Sequence, residues 1–433
     1  MEILVSLAYA SFFIFLIGQC AFFKVNGIPT RYIQLAFVVK LFFAVLLGVV
    51  YTRFYPNRLT ADTFKFFDDS QIMYQLAFQQ PKMFFQMISG INDTDPLLLP
   101  YYDQMHNWYN KAVLFNDYRF QIRINTALRF ISLGFYHVHA IIYSFLSFIG
   151  LTALLKLFSK ALPHLVKLLY TGTYFIPSVL FWGSGLLKDS LIIFATGASL
   201  FCLNKVIAEK KIKLIPLFIF FFLFLMLIKF HNFILLLPLF AAYALSLIIK
   251  KRTTLIYFTI TIVYFLCLLK LDIILPGYGL MDLLSKKQAE FIDLANDYQA
   301  QSTLPIHTLE ASEWSAIQNT PQALSHVLFR PFIFDTGNFL LKLAALENLM
   351  WCLIFSIVLF NLKIKNLKAE PLFMLAVIYT LSLFVLIGLV TPVMGAIVRY
   401  KIQALPFLFF ALLYATNTDL LKSRFPVIKK LIN

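Results

Sequence analysis

Charge is scarce in this sequence, and acid is the scarcer half. Asp and Glu number 21 in 433 residues against 37 Lys and Arg, and charged residues make up 13% of the chain. Soluble domains carry about a quarter of their residues as charges, so an ordinary soluble domain is excluded. Cysteine is nearly absent. Cys20, Cys202, Cys267 and Cys352 each fall in a different apolar segment, without CxxC spacing, which suggests neither a disulfide framework nor a thiolate metal site. HExxH, Walker A, GxSxG and a GxGxxG after a strand are all missing. The N-terminal apolar stretch has no basic n-region and no small-residue cleavage site, so it reads as a retained span.

What fills the chain is apolar. Hydrophobic residues make up 60% of it, with 49 Phe. Runs dominated by Leu and Phe predict helices, because barrel strands would alternate apolar with polar residues. Segments of spanning length lie at about 3–23, 31–53, 137–158, 163–182, 185–207, 213–230, 231–250, 254–275, 339–362, 369–392 and 396–416. The expected fold is an all-α polytopic membrane bundle of about eleven spans, a single transmembrane domain over residues 1–433.

The net charge of +16 is explained by topology and needs no nucleic acid. Basic residues gather in alternate short links: Lys24 and Arg31; Lys156, Lys160 and Lys167; Lys205, Lys210, Lys211 and Lys213; Lys250, Lys251 and Arg252; Lys363, Lys365 and Lys368. By the positive-inside tendency these face the cytoplasm, which puts the N-terminus outside and the C-terminus inside. Two long segments, 54–136 and 276–338, then face outward as structured loops. Within them, Phe64, Phe67 and Tyr74, and again Leu284, Phe291 and Leu294, recur at helical spacing, as in helices lying on a bilayer surface.

Charge inside or at the end of a span is costly and marks a site or pathway. Four groups stand out. Asp62, Asp68 and Asp69 follow the second span at the water interface, where a carboxylate can act as general base or ligate a divalent cation; the bland alternative is a helix N-cap and solvated acids. Asp93, Asp95, Asp103 and Asp117 read as turn and surface residues. In the second group, FWGSGLLKDS, a Gly-Ser-Gly turn leads into Lys188 and Asp189. Lys188 is placed to reach a phosphate, whereas Asp189 reads as a packing counter-charge. The third is Lys229 and His231, a polar knot where Lys229 can also snorkel and His231 can be a simple interfacial histidine. The fourth joins Arg330 and Asp335 with Arg399, Tyr400 and Lys401. A guanidinium matches phosphate oxygens, and Arg399 within an apolar run needs an anionic partner, either Glu347, Asp189 or a phosphate.

Taken together, the acidic outer loop, FWGSGLLKDS, LFRPF before a span and AIVRYK before the last one resemble bacterial multi-pass proteins of envelope glycan assembly. They are similar both to GT-C-type glycosyltransferases and to polysaccharide repeat-unit polymerases. The resemblance implies a transferase in the bacterial cytoplasmic membrane. It would take a sugar or oligosaccharide from a polyprenyl-phosphate carrier on the outer face. It implies a base among Asp62, Asp68 and Asp69; His231 joins the catalytic candidates because the other outward charges accumulate at its depth. It implies phosphate contacts at Arg330, Arg399 and Lys188; the span-end charges Lys229 and Lys401 are candidates for the same role, and Trp182, Trp108 or Tyr400 for stacking on a sugar ring. A divalent cation is compatible with this set, and other glycan-assembly proteins are the implied partners. In GT-C enzymes the acidic loop follows the first span, whereas here it follows the second. From another class, a lipid-linked substrate transporter, or flippase, would use the same cations without chemistry; its path through the inner half of the spans would rely on Lys40 and Lys270. A membrane scaffold would leave Arg399 and Lys188 unexplained.

Overall fold

A computed structural model describes residues 1–54, 58, 61–106, 116–297, 299–300, 302–335, 337–363 and 370–424; Trp108, Lys365 and Lys368 lie outside them. The described residues form helices joined by turns, with only isolated β-bridges among them. In chain order the helices are α1 Glu2–Gln19, α2 Thr30–Phe54, α3 Asp62–Gln79, α4 Pro81–Ser89, α5 Leu99–Tyr102, α6 Asp117–Ser132, α7 Tyr136–Ala161, α8 Val166–Tyr174, α9 Pro177–Trp182 and α10 Lys188–Ala208. There follow α11 Ile215–Ile228, α12 Phe230–Ile249, α13 Thr253–Leu269, α14 Leu271–Ile274, α15 Leu280–Asp297, α16 Glu313–Phe329, α17 Phe339–Phe360, α18 Pro371–Val390, α19 Met394–Tyr400, α20 Leu405–Ala415 and α21 Thr418–Arg424.

Among the described residues seven helices are long and apolar enough to cross a membrane: α1, α2, α7, α10, α12, α17 and α18. The other four of the eleven expected segments depart from a plain span, for local reasons. Around 163–182 the chain breaks between α8 and α9, because the residue before Pro177 is held out of the helical region. Around 396–416 the helical stretch Met394–Gln403 meets Leu405–Ala415 at a bend of 64°, just before Pro406; counted as one span it makes eight. Ile212–Ile228 and Thr253–Leu269 are apolar but shorter. Large side chains on the spans are left bare, Leu4, Phe15, Phe42 and Leu353 each more than half exposed, as befits a surface solvated by lipid.

The chain divides into two compact units. The first comprises Met1–Ala153, Leu180–Ser199 and Pro216–Phe233. Its spans approach closely where glycine allows it: a Cβ on Gly150 would fall 2.3 Å from the Ile193 carbonyl oxygen, and one on Gly197 would fall 2.2 Å from that of Gly150. Close backbone approach of this kind is how apolar helices gain dispersion contact when lipid already solvates them. The turn Gly183-Ser184-Gly185 is buried and satisfied from within the unit. The Lys40 ammonium donates to the Gly183 carbonyl at 2.6 Å, and the Gly185 amide donates to the Ser144 hydroxyl at 3.0 Å.

The described residues of the segment 54–136 form a helical cluster. Phe66, Met73, Leu76, Phe84, Met87, Leu98, Tyr102 and Ile122 make its core. The expected surface helix 63–79 does form, as part of α3, but Phe64 and Phe67 are buried in protein. Arg129 of α6 ties the cluster together, stacking on Phe67 at 4.1 Å and donating to the Ser70 hydroxyl at 2.7 Å.

The second unit comprises Leu154–Val179, Leu200–Ile215 and Ile234–Asn433. Gly388 of α18 lets α16 approach, since a Cβ there would lie 2.2 Å from the Ala323 carbonyl oxygen. The Gln288 side chain of α15 is buried and joins its helix to two other segments of the chain. Its amide donates to the Leu389 carbonyl at 2.7 Å and to the His307 carbonyl at 3.0 Å, and its oxygen accepts from the Leu309 amide at 2.7 Å. Two of the basic links meet at one acid: Lys160, Lys205 and Lys211 approach Glu209 at 3.5, 2.7 and 3.2 Å.

Candidate functional site

Residues singled out from the sequence fall in both units. In the first, four of them gather around a fifth that the sequence reading had set aside. Asn116 caps α6, its side-chain oxygen accepting from the Tyr118 and Arg119 amides at 3.1 Å each. That cap places Asp117 in the first turn, where the helix dipole favours a carboxylate. Asp117 is therefore not the turn and surface residue expected. Lys188, at the first position of α10, pairs with it at 2.9 Å, and Lys229, in the break between α11 and α12, lies at 3.8 Å from the same oxygen. His231 stands near enough to add to the local field.

Burial works against the charge on Asp117, yet the two lysines and His231 outweigh it and hold its pKa below the usual aspartate value. The ammonium of Lys188 sits over two rings, 3.7 Å from the Tyr118 centroid and 5.0 Å from that of Phe66. Asp62 begins α3 one turn before Phe66. Its carboxylate pairs with Lys65 at 3.0 Å and acts electrostatically on Lys188. Lys188, Lys229 and Lys65 thus face Asp62 and Asp117, a surplus of cation before His231 is counted. Such a surplus, beside the half-buried Tyr118 ring and the buried Phe66 ring, is suited to an anion with several oxygens.

Other described acids of the segment 54–136 are committed elsewhere. Asp68 is held by a two-point pair with Arg58, at 2.7 and 2.9 Å. Asp69 is buried and accepts from the His106 amide at 3.1 Å. Asp93, expected in a turn, accepts from Arg119 and Arg123 at 3.1 and 2.9 Å. Trp182 is half-buried against Tyr51 and Phe181, edge to face with both.

In the second unit, Arg330 pairs with Asp335, five residues on, and covers Phe332 at 4.7 Å. Lys401 is buried. Its ammonium donates to the Asn348 side-chain oxygen at 2.7 Å and to the Val327 carbonyl at 3.2 Å. Next to Asn348, Glu347 accepts from the Ser178 amide and hydroxyl, both at 2.7 Å, and so caps α9. Arg399 and Tyr400 close α19, half-buried, with Tyr400 6.4 Å from Phe291. Among the described residues no three His, Cys, Asp or Glu side chains gather into a group that could hold a metal ion.

Two residues carry more of these arrangements than the sequence reading assigned them. Asp117 had a readable signal, since Asn-Asp before an amphipathic stretch is a helix start. Asn348 had none, because a neutral amide among apolar residues does not announce a lysine partner. Comparison of the chain with known protein families, with characterised proteins and with solved structures finds no match.

Proposed function

We propose that this chain is a membrane glycosyltransferase of bacterial envelope polysaccharide assembly, taking a sugar or oligosaccharide from a polyprenyl-phosphate-linked donor at the extracytoplasmic face of the inner membrane. The reading carries with it the finer topology: about eleven spans, the N-terminus outside, the C-terminus cytoplasmic, and 54–136 and 276–338 as the outward loops. The observation that supports it is the convergence of Lys188 and Lys229 on Asp117 at the ends of spanning helices, over the Tyr118 and Phe66 rings. A polyprenyl tail would lie in lipid while its phosphate meets these cations.

In the transfer, the bond between the sugar's anomeric carbon and the phosphate oxygen breaks, and a bond from that carbon to the acceptor oxygen forms. The hydroxyl proton passes to a carboxylate, for which Asp62 is the candidate nearest the cluster. The electron pair leaves on the lipid phosphate, where Lys188 and Lys229 stabilise it. Asp117, kept ionised by its neighbours, holds both lysines in place.

Asp62 is already engaged by Lys65, and this favours a second form of the reading, a repeat-unit polymerase relying on outward arginines. Transport without chemistry finds less support. Lys40 is spent on the Gly183 carbonyl, and Lys270 lies exposed opposite Glu313 at 3.9 Å.

The test is glycan analysis of a deletion strain complemented with variants that still insert. Loss of product in Lys188→Ala and Asp62→Ala is expected. Loss in Arg399→Ala with Asp62→Ala intact selects the polymerase form. An unchanged envelope glycan in the deletion strain rejects both.

A further inference from the structure

The second unit contains a cleft that no part of the charge reading uses. It has a volume of about 440 Å³ and lies between the segment 306–310 and α16, lined by His307, Glu310, Ser312, Trp314, Gln318 and Asn319 among others. Its size falls within the range of small-ligand sites, about 300–1,000 Å³. The walls are held in place from behind. Gln288 fixes the backbone at His307 and Leu309, the His307 amide donates to the Gln322 side chain at 3.0 Å, and the Glu310 amide donates to the Ser315 hydroxyl at 3.0 Å. The cleft is preformed by these bonds.

Its chemistry is mixed in a particular way. Trp314 is 66% exposed and presents a flat ring. Trp314 and Gln318 stand four residues apart on one face of α16, with Asn319 beside them. Among the described residues the Glu310 carboxylate and the Gln318 amide form no bond within the protein. An indole face has negative potential and attracts polarised C–H groups, while amide and carboxylate groups bond hydroxyls. A ligand with C–H faces and a rim of hydroxyls meets both demands. A phosphate or an acidic sugar would meet Glu310 and be repelled.

We propose that this cleft binds an uncharged saccharide ring, stacked on Trp314 and bonded at its rim by Glu310, Gln318 and Asn319. Its purpose, holding the glycan being built or extended, rests on the glycosyltransferase reading above; the binding itself does not. An interfacial tryptophan that only anchors the protein in the bilayer is the competing role, and a polar lining around the ring is the observation against it.

The experiment uses the full chain in lipid nanodiscs, titrated with glucose, galactose, rhamnose, N-acetylglucosamine and their disaccharides, and read by calorimetry and tryptophan fluorescence. Saturable binding of at least one is expected, weakened ten-fold or more in Trp314→Ala and several-fold in Glu310→Gln, and unchanged in Lys188→Ala. Trp314 is exposed, so its truncation leaves the fold intact, and Glu310→Gln gives an independent check. No saturable binding, or binding indifferent to both substitutions, overturns the proposal. So does strong quenching of Trp314 by brominated lipid, which would identify a bilayer anchor. If the sugars fail to bind while Lys188→Ala still abolishes product, the cleft alone is refuted. If they bind while the deletion strain keeps its glycan, the transferase reading alone falls.

Discussion

Each unit holds one lysine at a helix end whose charge is taken up inside the protein, and the two are handled in opposite ways. Lys401 is wrapped by neutral oxygens, the Asn348 amide and the Val327 carbonyl, and is almost fully buried. Lys188 shares a carboxylate with a second lysine and keeps 11% of its side chain exposed. Lys401 uses two of its three protons on fixed neutral oxygens, with the Glu347 charge acting on it from nearby, and so serves as a structural bolt. Two ammonium groups around one carboxylate leave charge over, and an incoming anion can neutralise it. Residue type does not separate these cases; the partner does.

The largest effect that sharpens this comparison is on glycan product. Lys188→Ala is expected to lower product about 100-fold or more at unchanged protein level, the scale seen when one transition-state charge stabiliser is removed. Lys401→Ala is expected to act on stability instead. It strands two buried acceptors, each costing about 1–3 kcal/mol, so melting temperature and abundance fall while product per surviving molecule persists. Equal loss of product per molecule in both variants, with melting unchanged, would erase the distinction. Measurement is by glycan gels normalised to immunoblots, with thermal melts of the purified proteins.

The backbone offers the next comparison. Gly150→Ala in the first unit and Gly388→Ala in the second each drive a Cβ into a facing carbonyl, at 2.3 and 2.2 Å, so the paired helices must separate. Overpacking of this sort costs about 1–3 kcal/mol. Gly48→Ala meets only the Tyr136 ring at 3.6 Å and is expected to stay within about 0.5 kcal/mol of wild type. Thermal melts of the three variants decide it. A neutral Gly150→Ala would mean that close approach does not hold α7 against α10.

These arrangements were unevenly legible in the sequence. The helices and the apolar spans were plain, because Leu and Phe runs admit little else in lipid. The breaks near Pro177 and Pro406 were not placed: both segments read as plain spans, and Pro238 lies inside a continuous α12, so a proline alone does not say where a span breaks. Asp62, Lys188 and Lys229 could be picked as costly charges at span ends. Asp117 was passed over as a turn aspartate, although Asn116-Asp117 ahead of an amphipathic stretch carries the signature of a capped helix start. Carbonyl partners leave no trace at all: every residue has one, and only the fold says that Val327 lends its own to Lys401. Trp314 went unremarked for a similar reason, since its cleft exists only once Gln288 has pinned 306–310 beside α16.

The smallest effects compare two acids set among lysines, Asp117 in the first unit and Glu209 in the second. Lysine partners hold the pKa of Asp117 below the ordinary value against its burial, and hydrogen bonds from Lys205 and Lys211 bring Glu209 down to about 2. A carboxylate with a depressed folded-state pKa stabilises the fold above its unfolded value, near 3.9 for Asp and 4.3 for Glu, and that contribution fades as pH falls through the folded value. Wild type should therefore melt above Asp117→Asn and above Glu209→Gln by margins that are flat from pH 8 to 5 and narrow below about pH 4. The Asp117 margin should be the larger, since its Lys188 pair is mostly shielded from water, whereas two of the three lysines around Glu209, Lys160 and Lys211, are more than half exposed and salt screens their pairing. Adding salt at pH 7 should accordingly shrink the Glu209 difference and leave most of the Asp117 difference. The reverse salt response would mean that the Lys188 pair is open to solvent and the Glu209 cluster closed.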